Sequence, residues 1–339
     1  MTPMEQAKEH IRNWTSDRLI LVSFGLTELP ELPAGLVYLD CCDNQLTTLP
    51  DTLPVGLRYL YCSNNSLTRL PETLPVGLRT LYCYNNHLTR LPDTLPVGLQ
   101  TLNCSHNQLL SLSDTLPVGL QMLVCSSNCL TMLPETLPVG LRTLYCCENQ
   151  LTTLPDTLPV GLTELDCSHN QLLSLPNTLP ARLHTLCCTN NQLTVLPDTL
   201  PTGLQTLHCA YNQLLSLSDT LPAGLLSLHC YENQITRLPE TLPADLQLLN
   251  CMSNQLTTLP KTLPSDLRTF HCYSNHFPDI EDDESIPDYV ARVNAFAEAA
   301  SRERITQRCA LVFEELAQKV WHPQRVERRM LLGVDMEDM

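Results

Sequence analysis

Cys187, His208, His229, Asn250 and His271 follow one another at intervals of 21 residues. Thiolate and imidazole are zinc ligands, and imidazole is the side chain whose charge changes near neutral pH. If one 21-residue unit stacks on the next, neighbours in this series stand roughly 5 Å apart in a row. A flat row is poor geometry for a tetrahedron, and the pattern fixes no carboxylate nearby. No metal and no cofactor is expected, and the series reads as a pH-sensitive contact surface.

Tyrosine carries the second constellation. Nine of the ten tyrosines, Tyr38, Tyr59, Tyr61, Tyr82, Tyr84, Tyr145, Tyr211, Tyr231 and Tyr273, are expected on the strand segment of the repeating unit. Tyrosine gives large amphipathic contact area at low entropic cost, so the segment is expected to bind a protein partner. Tyr38, Tyr59, Tyr61, Tyr82 and Tyr84 form an N-terminal cluster. His208, Tyr211, His229, Tyr231, His271 and Tyr273 form a second one toward the C-terminus. An acidic series, Asp51, Glu72, Asp93, Asp114, Glu135, Asp156, Asp198, Asp219 and Glu240, precedes Thr-Leu-Pro in each unit. It reads as turn-forming acid on the far side, useful for solubility, with Arg58, Arg69, Arg79 and Arg90 partly neutralising its N-terminal end. No phosphate loop, dinucleotide fingerprint, nucleophile elbow or HExxH occurs. No unique Ser/His/Asp set emerges, and no enzymatic activity is expected.

These residues are placed by a strict period. Cys41, Cys62, Cys83, Cys104, Cys125, Cys146, Cys167, Cys188, Cys209, Cys230, Cys251 and Cys272 step by 21, and so do twelve asparagines from Asn44 to Asn275. One unit, LRYLYCSNNSLTRLPETLPVG from Leu57 to Gly77, follows L-x-x-L-x-C-x-x-N-x-L-x-x-L-P. This is the leucine-rich-repeat pattern with Cys at its third apolar position. The period of two around Leu60 and Cys62 predicts a short strand with those residues inward. Asn65 turns the chain. Leu70-Pro71 and Leu74-Pro75 favour an extended, polyproline-like return over a helix. Repetition builds an α/β-type right-handed solenoid with a parallel sheet on its concave face. A single unit has only six apolar side chains, so it must stack on neighbours to bury them.

The predicted organisation is an N-terminal helical cap over 1–18, leucine-rich repeats over 19–278 (one degenerate unit plus twelve full ones), an acidic linker over 279–285 and a C-terminal helical cap over 286–339. Thr2-Pro3-Met4-Glu5 reads as a capping box, with Ala7, Ile11 and Trp14 on one face of the first helix. Ser285-Ile286-Pro287-Asp288 opens the last part. There Val290, Val293, Ala297 and Ala300 share a face and Cys309, Val312, Phe313, Leu316 and Val320 continue one. His322-Pro323 ends it before a short helix at 323–332.

The 339 residues carry a net charge of −16 with a pI near 4.9. That balance argues against nucleic acid and anionic membrane as partners. No run of about 20 apolar residues spans a bilayer, and the start shows no apolar run of a secretory signal. Seventeen cysteines, an odd number with one per unit in a ladder, predict buried small hydrophobes in a reducing, intracellular compartment.

The unit LPxTLPxGLxxLxCxxNxLxxLP resembles the short bacterial leucine-rich repeats of the YopM and IpaH type of secreted effectors. The resemblance covers about 19–278. Cys stands here where those repeats usually carry Val or another aliphatic residue. The 61 residues after 278 leave no room for the ubiquitin-ligase domain that follows the repeats in the IpaH group. Cys-bearing repeats with a short helical tail also resemble leucine-rich-repeat proteins of large DNA viruses. The function implied is a non-enzymatic scaffold that binds a protein through its concave face, in a host cytoplasm or a virion. A structural part of an assembly such as a virion, and a substrate-recognition subunit of a ubiquitin ligase, remain as alternatives.

Overall fold

Each unit begins with three residues of strand whose middle residue, a leucine in all but the last, where it is Phe270, packs on the core, and the residue just after the strand, Leu21 in the first and cysteine in the other twelve, points inward too. The computed structural model describes residues 1–281 and 284–320. It places thirteen such strands in one parallel sheet, in chain order. They are β1 (Arg18–Ile20), β2 (Tyr38–Asp40), β3 (Tyr59–Tyr61), β4 (Thr80–Tyr82), β5 (Thr101–Asn103), β6 (Met122–Val124), β7 (Thr143–Tyr145), β8 (Glu164–Asp166), β9 (Thr185–Cys187), β10 (Thr206–His208), β11 (Ser227–His229), β12 (Leu248–Asn250) and β13 (Thr269–His271). Register never slips. Leu60 faces Leu81 and Tyr61 faces Tyr82, and the same columns run from end to end. Between strands the chain runs through turns, bends and irregular segments, with no helix. Leucines such as Leu57, Leu60 and Leu67 and the ladder cysteines from Cys41 to Cys251 are fully buried. All seventeen cysteines are thiols.

The asparagine column ties each turn to the one before it. Asn65 Nδ2 donates to the carbonyls of Cys41, Cys62 and Ser63 at 3.0–3.2 Å, and its Oδ1 accepts from the Leu46 amide at 2.9 Å. An amide side chain offers two N–H donors and one acceptor oxygen, so one of its hydrogens is shared between two of the three carbonyls. The residue before each asparagine takes a left-handed conformation, with φ between 50 and 60° from Asp43 to Ser274. This sharp bend lets the backbone leave the sheet while Asn64 N–H still bonds the next turn, at Tyr84 O, 3.0 Å.

The ends are closed differently. Helix α1 (Pro3–Arg12) starts with the capping box between Thr2 and Glu5, and Ala7, Ile11 and Trp14 sit on the first turns of the core. Trp14 Nε1 donates to Arg18 O at 2.9 Å. At the other end α2 (Ile286–Val320) is one unbroken helix. Its first turns cover the last repeat, with Tyr289, Val290 and Val293 buried. Cys272 Sγ donates to Tyr289 Oη at 3.4 Å, and Asn294 Oδ1 accepts from Leu259 N–H at 3.1 Å. Arg292 grips Glu284 at 2.7 and 2.8 Å. The expected continuation of this packed face does not occur. Residues 301–316, including Cys309, Val312, Phe313 and Leu316, are all exposed. At about 100° per residue the second apolar stripe points away from the first, so a straight helix cannot seat both on the solenoid. The side chain of Val320, the stop at His322-Pro323 and the helix at 323–332 lie outside the described residues.

Candidate functional site

Strand alternation sends two side chains per turn, one on each side of the inward leucine, onto the open sheet face. On β2–β13 both are exposed or half-buried in every turn except for the buried Asn250. Five of the nine tyrosines, Tyr38, Tyr59, Tyr61, Tyr82 and Tyr145, stand on strands here. Tyr84, Tyr231 and Tyr273 follow the ladder cysteine, just beyond the strand. Tyr211 departs from the expectation. It occupies the left-handed turn position, with φ 51°, and reaches back to the tyrosine after the next cysteine rather than rising from a strand.

Ring contacts mark the two ends of the sheet. At the N-terminal end Tyr38 meets Tyr59 at 6.1 Å and Tyr61 at 5.1 Å, and Tyr61 meets Tyr82 edge-on at 5.1 Å. The Arg18 guanidinium lies 4.2 Å from the Tyr38 ring centre, a cation–π contact. Four rings therefore form one patch over three strands, with Tyr84 two residues beyond Tyr82. Toward the other end His208 meets His229 at 4.4 Å, His229 meets Tyr231 at 6.2 Å, and Tyr231 meets Tyr211 at 5.2 Å. His271 and Tyr273 form a further pair at 6.4 Å. Asn250 and Met252 separate the two sets.

A zone between these ends, on β8, is not expected from the sequence, where the tyrosines, the Cys187 row and the acids of the turns stand out but the acids of this strand do not. Glu164 and Asp166 occupy both outward positions of β8. Tyr145 hydroxyl donates to the Glu164 carboxylate, and that bond together with burial pushes the phenol up to about 12. Asp166 stands in register with Cys187, so a carboxylate does belong to the Cys187 row, contrary to expectation. Cys187 Sγ lies 3.7 Å from His208 Nδ1. Burial, then Asp166 and Cys147, push the Cys187 thiol up to about 12. The pair is thus a neutral thiol beside an imidazole, poorly suited to nucleophilic attack. Among the described residues no group of three His, Cys, Asp or Glu side chains converges on a point that could hold a metal ion. The acidic series is exposed on the turns, where Arg90 pairs with Glu72 and with Asp93 at 3.6 Å, and Arg237 with Asp219 at 3.3 Å.

Burial lowers the pKa of His208, against a weaker opposing pull from Asp166. Burial, then the neighbouring His208 and His271, lowers that of His229. The unfolded chain therefore takes up these protons first. The stability they contribute is complete above the ordinary histidine pKa of about 6.5 and is lost as pH falls below it. The melting temperature should drop more steeply from neutral to mildly acid pH in the parent than in a His208→Asn/His229→Asn double variant. Equal slopes in the two proteins would place both rings in solvent.

Comparison with known proteins gives one consistent answer. The profile of the Leucine Rich Repeat family matches residues 56–76 and 161–181. No curated protein sequence matches the chain. Among solved structures, YopM from Yersinia enterocolitica is similar at 34% identity and a TM-score of 0.69, over 80% of this chain and 66% of its own. This chain thus spans just under two thirds of that relative. YopM from Yersinia pestis, described as a leucine-rich effector protein, is similar at 30% identity and a TM-score of 0.60, over 80% of this chain and 93% of its own. The functional domain of InlJ from Listeria monocytogenes, described as including a cysteine ladder, is similar at 29% identity and a TM-score of 0.67, over 74% of this chain and 57% of its own.

Proposed function

The chain belongs to the leucine-rich-repeat proteins, of the YopM-like type, and from that premise we propose that it is a non-enzymatic scaffold gripping a protein partner with the concave face of its sheet. The supporting observation is the contiguous patch of Tyr38, Tyr59, Tyr61 and Tyr82, whose rings touch one another above the sheet while the Leu–Cys core lies wholly below it. Folding requires the leucine and cysteine columns and does not call for tyrosine above them. An aromatic patch left open to solvent on a soluble surface is a typical contact site. The effector description of the Yersinia pestis relative and the wholly thiol state of seventeen cysteines support action inside a cell, in a reducing compartment.

Affinity purification from the native source identifies the partner. Tyr61→Ala and Tyr82→Ala then test the surface. Truncation of a buried interface tyrosine costs about 2 kcal/mol, so each variant should bind roughly thirtyfold more weakly with an almost unchanged melting temperature. Unaltered binding by both would move the contact to the His208–Tyr231 zone or away from the sheet. A collapse in melting would mean that these rings support the fold.

A further inference from the structure

We propose that the projecting half of α2 is a self-association surface, on which the 301–316 segment of a second copy of this chain lies antiparallel. Ile305, Cys309, Val312 and Leu316 recur at the four-three-four spacing of a coiled-coil seam. Phe313 widens the seam and is 71% exposed, and Ile305 is 59% exposed. The buried residues of the same helix, Tyr289, Val290 and Val293, together with the half-buried Ala297, centre roughly 100° around the helix from that seam. Seating the first turns on the last repeat therefore turns the seam away from the solenoid. Nothing among the described residues covers it.

Charge selects the occupant and its direction. Arg304 and Arg308 precede the middle of the segment, and Glu314 and Glu315 follow it. In a parallel second copy the flank that carries Arg304, Arg308 and Glu315 would face the partner's other flank, that of Thr306 and Phe313, and its charges would meet no opposite charge there. An antiparallel copy, with its two-fold axis between Cys309 and Ala310, sets Arg304 of each chain opposite Glu315 of the other. By the helical period both residues flank the seam on the same side, so this contact forms twice. The same axis brings the two Cys309 thiols, the exposed ones of the chain, close to each other at the centre.

Light scattering on the full chain should show the mass rising with concentration from 38.0 kDa toward twice that value. Ile305→Asp should hold it at the monomer value with unchanged melting. Arg304→Glu and Glu315→Arg should each do the same. Glu315 also has a contact within its own chain, which Glu315→Arg removes both alone and in the double reversal. Recovery of the dimer in Arg304→Glu/Glu315→Arg therefore reports the contact between chains. Mild oxidation should cross-link the parent through Cys309 and leave Cys309→Ser uncoupled. Ile305→Cys in that Ser background should also stay uncoupled, because Ile305 meets its own counterpart only in a parallel pair. A parent that stays monomeric at every soluble concentration overturns the proposal, as does a dimer that survives Ile305→Asp. Coupling through position 305 overturns the antiparallel arrangement.

Discussion

Asn149→Ala should destabilise the solenoid by about 3–5 kcal/mol, a sum of about 1 kcal/mol for each of the two side-chain N–H groups that are lost and 1–3 kcal/mol for one stranded buried backbone amide. Asn149 Nδ2 donates to the carbonyls of Cys125, Cys146 and Cys147 at 3.0–3.2 Å, and its Oδ1 accepts from the Leu130 amide at 3.0 Å. The three carbonyls keep other donors after truncation. Asn128 still reaches Cys125 O, Asn170 still reaches Cys146 O, and Ser127 N–H still reaches Cys147 O. Leu130 N–H loses its partner inside the core, and that loss dominates the estimate. Asn149→Asp separates the two halves of the interaction. It retains an acceptor for Leu130 but turns a carboxylate oxygen toward three carbonyls, so it should be at least as damaging at neutral pH and should recover partly in acid. Each repeat contacts only its neighbours, so the loss should appear as early unfolding around β6 and β7, read by hydrogen exchange. Protection unchanged in those strands would mean that the asparagine column is dispensable and that leucine packing alone holds the register.

The same column shows why so much of this fold is legible in the sequence. Backbone direction, register and core composition repeat every 21 residues, so Leu60, Cys62 and Asn65 each report on twelve equivalent places. Local chemistry at the N-terminus is equally readable, because the capping box of Thr2 and Glu5 needs only residues within reach of one another. The departures arise where an outcome depends on more than the repeat. Tyr211 looks like its neighbours by spacing, but it lies three residues past His208, the last outward-facing strand position of its turn, in the left-handed bend. Asp166 joins the Cys187 row because register, not residue type, decides who stands beside whom. The stripes on α2 are both apolar, and the sequence does not show that a straight helix can seat only one of them. Which of the outward residues bind is less legible still, since packing places no demand on them.

Above about pH 9 the protein should unfold steeply, and the ladder cysteines should be the cause. Eleven of the twelve, from Cys41 to Cys251, are fully inaccessible to solvent. Burial raises the pKa of each, aided in most by neighbouring thiols along the column, and even Cys104 is pushed up to about 12. Cys104 Sγ lies 3.5 Å from Val124 O, and Cys62 Sγ lies 3.4 Å from Tyr82 O, so the thiol hydrogen has a weak acceptor that a thiolate would repel. In the unfolded chain each thiol loses its proton near the ordinary value of about 8.5. Folded-state pKa values lie above unfolded ones. The stability is therefore complete below about pH 8.5 and is lost as pH rises toward the folded values. Each thiol contributes a slope of about 1.4 kcal/mol per pH unit, and eleven together about 15, comparable to the whole stability of an ordinary domain. Circular dichroism should show the transition finished within roughly one pH unit of its onset. A Cys104→Val/Cys125→Val/Cys146→Val variant should flatten the slope by about 4 kcal/mol per pH unit, which separates the thiols from tyrosines that titrate nearby. Below the transition, thiol reagents should label Cys309 readily and leave the ladder unmodified until denaturant is added. A native circular dichroism signal persisting well past pH 10, or rapid labelling of the ladder in the folded protein at neutral pH, would place these sulfurs outside the core that the repeat builds.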